Sequence, residues 1–193
     1  TGGLTYQSQL NKYYKRVDDL LGGDFYVDIN QFAERDFPAN QQAAQNDLNK
    51  QNRLLYTGDK FGYNYDITIK KASAWAQAIF KFRKIDFFVS AEHSYTRFWR
   101  YGNAKVGLFP NNSEGKSKFN DFYNYSAKGG VTYKINGRNY IFANGAYLTK
   151  APFFENAYVA PRTRDFVQPN LESERITSVE VGYVMNAPKV KLR

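Results

Sequence analysis

Polar and apolar residues alternate along most of this chain, in runs separated by polar stretches. Tyr63, Tyr65, Ile67 and Ile69 fall on one face of a period-two pattern, and Asn64, Asp66, Thr68 and Lys70 on the other, which is the signature of a strand. The pattern slips near Lys70-Lys71, and a new run follows from Ala72 to Phe82. Either a β-bulge shifts the phase within one long strand, or Lys70-Lys71-Ala72-Ser73 is a turn between two strands. The lack of Gly, Pro, Asn and Asp there favours the bulge. Phe87, Val89 and Ala91 alternate with Phe88, Ser90, Glu92 and Ser94, and the run continues to Trp99. Tyr123, Tyr125, Ala127, Gly129, Val131 and Tyr133 oppose Asn124, Ser126, Lys128, Gly130 and Thr132, the cleanest segment of all. Asn136-Gly137 predicts a hairpin turn before a strand from Tyr140 to Leu148. Val179, Val181 and Tyr183 oppose Ser178, Glu180 and Gly182. Leu4 to Leu10 reads as the end of one strand, and Val190 to Arg193 as the start of another.

The links between these runs alternate in length. Those over 11–60, 100–121 and 150–172 are long and polar; Phe82 to Asp86, Ile135 to Asn139 and Asn186 to Lys189 are short. A chain with this rhythm goes up and down, with long loops at one end and tight turns at the other. Transmembrane β-barrels of the bacterial outer membrane are built this way. A short helix is expected within the first long loop, over Gln41 to Asn49.

Composition narrows the picture. Mean hydropathy is −0.64, and apolar runs fall far short of the roughly 20 residues that a spanning helix needs. A barrel strand escapes that test because only half of it is apolar. Aromatic residues make up 18% of the 193 residues, and membrane barrels gather such residues into interfacial girdles. Phe61, Tyr63, Tyr95, Phe98, Trp99, Phe122 and Tyr123 lie at the long-loop end, and Phe80, Phe82, Phe87, Tyr133, Tyr140 and Tyr183 at the short-turn end. A soluble sandwich has no reason for such sorting. About six to seven strands are legible, whereas single-chain bacterial barrels start at about eight, and an open sheet edge is not tolerated in lipid. The expected fold is therefore all-β, an antiparallel up-and-down transmembrane β-barrel fragment, with residues 1–193 forming part of one barrel domain.

The net charge of +9 invites a nucleic-acid reading, but Lys and Arg are scattered, and no zinc-finger or helix-turn-helix pattern is present. No nucleic-acid partner is expected. The chain has no cysteine, which excludes disulfides and cysteine metal sites. Thr1-Gly2-Gly3-Leu4 opens without a signal peptide, so an exported protein would carry one upstream.

Tyr13-Tyr14-Lys15-Arg16-Val17-Asp18-Asp19-Leu20-Leu21-Gly22-Gly23 and Gly58-Asp59-Lys60-Phe61-Gly62-Tyr63-Asn64-Tyr65-Asp66 resemble stretches of TonB-dependent outer-membrane receptors of the Bacteroidetes type. Asn144-Gly145-Ala146-Tyr147 with Ala151-Pro152-Phe153-Phe154, and Leu171-Glu172-Ser173-Glu174 with Ser178-Val179-Glu180-Val181-Gly182-Tyr183, resemble later parts of the same receptors. The resemblance implies a barrel of about 22 strands closed by an N-terminal plug. It further implies nutrient uptake energised by the TonB complex, in the outer membrane and in contact with its lipid, with a surface lipoprotein as a further potential partner. The plug and the TonB box are absent from this stretch, which reads as an internal, later part of the barrel.

Little supports an enzyme. His93 is the only histidine, and Glu92, its neighbour in sequence, points to the opposite strand face, whereas acid–base work needs positioned partners. No phosphate loop or nucleophile elbow appears. Asp18, Asp19, Asp24 and Asp28 lack the spacing of a calcium loop. No metal or other cofactor is expected. Glu92, Lys128, Glu174 and Glu180 fall on faces assigned to a lumen. The candidate ligand contacts are Arg97, Trp99, Arg100, Tyr101, Arg162 and Arg164, since Arg pairs with carboxylate or phosphate and aromatic rings give flat contact surfaces. Headgroup anchoring by the same residues is the competing reading. Two other functions stay open: a passive structural or adhesive barrel, and a soluble basic β-domain binding polyanions.

Overall fold

The computed structural model describes residues 1–186 and the backbone of 191–192. Strands hold 56% of the residues and helices 7%, so the chain is all-β. The strands are β1 (Gly2–Arg16), β2 (Tyr26–Val27), β3 (Leu54–Leu55), β4 (Lys60–Lys81), β5 (Ile85–Gly102), β6 (Gly115–Lys116), β7 (Asn120–Lys134), β8 (Asn139–Lys150), β9 (Glu174–Asn186) and β10 (Lys191–Leu192). The helices are α1 (Gln31–Asp36) and α2 (Phe154–Ala157).

One antiparallel sheet runs in the order β1-β4-β5-β7-β8-β9-β10, with the short β6 on the upper end of β5. β2 and β3 pair separately within the first long loop. The sheet is open, and its outermost strands among the described residues are β1 and β10. The short links fall where the alternation places them, before Ile85 and before Asn139. The expected link from Asn186 to Lys189 lies outside the described residues, as do Val190 and Arg193 of the last expected strand. The hairpin at Asn136 is held by side-chain chemistry. Its Oδ1 accepts from the backbone N–H of Arg138 (2.9 Å) and Asn139 (3.0 Å), and neither Asn136 nor Gly137 has a positive φ.

Register fixes which residues share a face. Along β5 the even positions Ser90, Glu92, Ser94, Thr96, Phe98 and Arg100 face one side, here called inner because the loops fold over it. Strand pairing carries that face across to Lys71, Ser73 and Gln77 of β4, Asn124, Ser126 and Lys128 of β7, Asn144 of β8, and Ser178 and Glu180 of β9. Glu92, Lys128, Glu174 and Glu180 do share this side. Trp75, Ile79, Phe88, Tyr140, Phe142 and Val184 are its apolar members toward the turn end. The opposite, outer face carries Leu4, Tyr6, Ala72, Ala74, Ala76, Ala78 and Phe80 on the first strands. It continues through Phe87, Val89, Ala91, Val131, Ala143, Val179 and Val181.

Several expectations need correction. β1 runs on to Arg16, because Tyr13 stacks on Tyr65 (centroids 5.0 Å apart) and pairing with β4 continues beyond Leu10. The first long loop is therefore shorter than 11–60. β4 has no bulge at Lys70-Lys71, where pairing to both neighbours is regular. The one register shift between β1 and β4 sits beside Tyr14 and Lys15, where Gly62 takes a φ of +70°. Helix forms at Gln31–Asp36 rather than over Gln41 to Asn49. The Asn30 side chain caps it by accepting from Phe32 N and Ala33 N, each at 3.2 Å, and Pro38 follows its end. Residues 41–44 form turns, and a 3-10 turn covers Leu48–Lys50. Finally, Phe98, Phe122 and Tyr140 lie on the inner face, so they belong to no outer girdle.

Candidate functional site

The buried core of the chain gathers at the loop end. Tyr65, Ile67, Phe98 and Phe122 rise from the inner face and pack against Phe154, Ala157 and Tyr158 of the loop after β8. Ile67 and Ala157 are completely buried. Arg100 ties this cap together. Its guanidinium donates from Nε to Pro161 O (2.7 Å) and from Nη1 to Ser113 O (2.7 Å), joining the two loops that follow β5 and β8. It also lies 5.2 Å from the Tyr65 ring centroid. The Tyr158 hydroxyl accepts from Arg100 N (3.1 Å) and Asn120 Nδ2 (3.0 Å), and shares a hydrogen bond with Ser117 Oγ. Burial pushes the Tyr158 phenol up from its ordinary value, against the opposing pull of these hydrogen bonds. A side chain on Gly102 would collide with the Ser113 carbonyl, so the close approach of the loop requires glycine there.

The first long loop joins the same cap. Leu48 N donates to Lys105 O (2.7 Å) and Gly107 N to Gln45 O (2.9 Å). Asp28, buried, accepts from Asn46 Nδ2 (2.8 Å) and from Gly62 N (3.1 Å), which pins the loop to the irregular start of β4. Asp18, Asp19 and Asp24 stay exposed and do not join it. Among the described residues no cluster of three or more acidic or histidine groups converges as a metal site.

Beneath the cap the inner face opens into a recess of about 540 Å³. Its walls include Lys71, Glu92, Ser94, Asn124, Lys128 and Lys150, together with Phe153 and Phe154. Lys71 Nζ is 3.9 Å from Glu92. Asn124 is 2% exposed, and neither its Oδ1 nor its Nδ2 has a partner among the described residues.

The sequence-predicted ligand residues do not converge. Arg97, Trp99 and Tyr101 project from the outer face. Arg97 grips Asp121 through two hydrogen bonds (2.6 and 3.2 Å), and Tyr95 donates to the same carboxylate (2.5 Å). Trp99 packs edge-on against Phe119 with centroids 5.2 Å apart. Arg100 is 2% exposed and spent on the cap. Arg164 is held between Phe109 and Phe166 (4.6 and 5.2 Å), with its buried Nε unpartnered. Arg162 lies on the cap surface, 5.1 Å from the Tyr63 ring. Sequence reasoning missed Asn124, Tyr158, Ser113 and Phe119. Asn124 sits in an ordinary polar position of an alternating strand, and the others lie in loops without a local pattern.

His93 faces the outer side, its ring 6.4 Å from that of Tyr123 and without a carboxylate partner among the described residues. Comparison with protein-family models, with curated proteins and with solved structures returns no match to this chain.

Proposed function

We propose that this chain is part of a transmembrane β-barrel of the bacterial outer membrane, and within that class part of a TonB-dependent nutrient receptor. The observation that carries the membrane reading is the division of the sheet into two unlike faces. Outward, Ala, Val and Gly positions lie between two aromatic rows. Tyr6, Tyr95, Tyr123, Tyr125 and Tyr147 form the row toward the loops, and Phe80, Phe87, Tyr133 and Tyr183 the row toward the turns. From Tyr95 down to Phe87, a rise of about 3.3 Å per residue and a tilt of about 40° give roughly 20 Å, close to the height of an outer-membrane apolar band. Val179 and Val181 are 77% and 71% exposed, which is costly in water and favourable in lipid. Inward, the same strands present mainly Ser, Thr, Asn, Gln, Lys and Glu, as a wet lumen requires. The open sheet edges call for further strands, because unpaired backbone is not tolerated in the bilayer.

The receptor reading adds the resemblance of the loop-to-strand segments and the ordered cap over the recess. In it, the recess and the cap meet the nutrient, the TonB complex acts through a plug outside these residues, and the Asn124 amide offers both a donor and an acceptor. A passive barrel would share the band and make no use of Asn124. The apolar outer band gives a soluble polyanion-binding domain nothing to do.

Single cysteines in the full-length protein test the membrane step, this segment having none of its own. A fluorophore at Val179→Cys is expected to be quenched by bromine-labelled lipid chains and one at Ser126→Cys is not. Equal quenching at both positions would refute the barrel face assignment. Uptake assays test the receptor step: Asn124→Leu is expected to lower nutrient uptake while leaving membrane insertion intact, and unchanged growth after deletion of the gene on every scarce nutrient tried would leave the passive barrel.

A further inference from the structure

The outer face carries a cation cluster seated directly above an apolar groove. Lys70 lies over Trp99, with Nζ 5.7 Å from the ring centroid. Lys116, on β6, lies over both Trp99 (4.8 Å) and Phe119 (4.2 Å). Arg97 completes the group, 4.4 Å from Phe119. The charges of these three cations are not equally committed. Arg97 is neutralised by Asp121, whereas the ammonium groups of Lys70 and Lys116 make no hydrogen bond or ion pair among the described residues. Two free positive charges thus share one aromatic platform.

Below this platform, Lys70 gives way to Ala72 and Ala74 on the same face of β4. The small side chains leave a shallow trough, walled by Leu4 and Tyr6 of β1 on one side and by His93 and Tyr95 of β5 on the other. The trough is apolar, open outward and oriented along the strands. Its upper end meets Lys70, two residues above the tyrosine row, and Lys116 reaches Trp99 from β6 on the other side of β5.

We propose that this surface is a specific site for one phosphate-bearing lipid, with the phosphate held by Lys70 and Lys116 and an acyl chain lying in the Ala72–Ala74 trough. The proposal rests on the membrane reading above and goes further, since general headgroup anchoring needs no trough for a single acyl chain. Charge complementarity selects the headgroup: two unpaired ammonium groups favour a phosphate anion and give a zwitterionic lipid no comparable gain. Trp99 and Phe119 hold the ammonium groups by cation–π contact and so fix their positions. Alanine at 72 and 74 selects the tail, because a larger side chain at either position would fill the trough.

The test uses the full-length protein in nanodiscs of phosphatidylcholine doped with a small fraction of phosphatidic acid. Native mass spectrometry counts the phosphatidic acid retained. Retention of one phosphatidic acid is expected. Loss of about fivefold in affinity is expected for each of Lys70→Gln and Lys116→Gln, following the attraction of a single surface cation for anionic lipid. Ala74→Phe, which keeps both lysines and fills the trough, is expected to weaken retention as well. Inorganic phosphate is expected not to compete. Undiminished retention in the Lys70→Gln/Lys116→Gln variant overturns the site, and so does competition by inorganic phosphate, which would mark a plain anion site. Quenching of a Val179→Cys fluorophore by brominated phosphatidylcholine is read in the same nanodiscs. If it persists while phosphatidic acid is not enriched, this inference fails and the membrane reading stands. If it is absent, the membrane reading itself has failed.

Discussion

The loop end and the strand band of this chain are stabilised in opposite ways. At the loop end, the apolar face of the sheet points inward and is covered: Tyr65, Ile67, Phe98 and Phe122 lie under Phe154 and Tyr158. In the band the apolar face points outward and is bare: Val89, Val131, Val179 and Val181 all rank as exposed. No residue of β8 or β9 counts as buried. The cap brings its own core. The band has no such cover from its own chain, and on the proposed membrane reading lipid would supply it while the polar inner face meets water. A substitution should therefore act on one region and spare the other.

Arg100→Met is the largest expected effect. It removes charge-assisted hydrogen bonds to the buried Ser113 O and the part-buried Pro161 O. The expected local cost is about 3–6 kcal/mol, at about 1.5–3 for each bond to a charged group. Amide hydrogen exchange should speed up across 103–119 and 151–173 while β7 and β8 keep their protection. Uniform loss of protection through the band would show that cap and band are one cooperative unit.

Val89→Arg strikes the other region. If the band faces lipid as proposed, an arginine in its middle costs about 2–4 kcal/mol. Ser126→Arg, on the inner face opposite Glu92, is expected to change stability by less than about 0.5 kcal/mol. Denaturant unfolding of the full-length protein from liposomes measures both. Similar costs for the two variants would remove the distinction between the faces.

The alternation along β4 shows what sequence can and cannot deliver. Strand positions were legible because a period of two appears wherever the two faces differ. The direction of each face was not. From Tyr65 to Ile69 the apolar side points inward, because the cap lies on it. Below Lys70 the inner side turns polar and the outer side becomes the alanine row. The apolar stripe changes sides with no break in pairing, and this mimics a bulge in the sequence. The cap was hidden for a related reason. Arg100 reaches Ser113 and Pro161, residues far along the chain, through backbone carbonyls whose positions no local pattern announces. Arg97, Trp99 and Arg100 are near neighbours in sequence, and so read as candidates for one ligand surface. On a strand, Arg100 faces away from the other two.

Tyr158→Phe should separate packing from polar contacts within the cap. The ring stays against Phe98 (centroids 6.2 Å apart), while Arg100 N and Asn120 Nδ2 each lose one of two acceptors, keeping Ser117 Oγ and Phe98 O. The cost is about 1–3 kcal/mol, confined to the cap. The hydroxyl adds a pH signature. Its pKa is raised in the folded state, so its contribution is complete below the ordinary phenol value of about 10 and fades as pH rises through the folded value. Exchange in the cap should therefore accelerate in strong alkali, and Tyr158→Phe should remove that component. An alkaline response unchanged in the variant would assign it to other groups.

The smallest effect belongs to the first loop, where α1 depends on a single cap. Asn30→Ala removes the acceptor for Phe32 N and Ala33 N, at a cost of about 1 kcal/mol. Ala33, the buried residue of this helix, would lose its fixed position, and proteolysis between Gln31 and Asp36 should quicken severalfold. Asp28 holds the start of β4 independently through Gly62 N, so the contacts of Arg100 and the whole band should be untouched. If Asn30→Ala also speeds exchange at 103–119, the loops of the cap share one fate, and the border between the two regions lies at the level of Gly62 rather than within the loops.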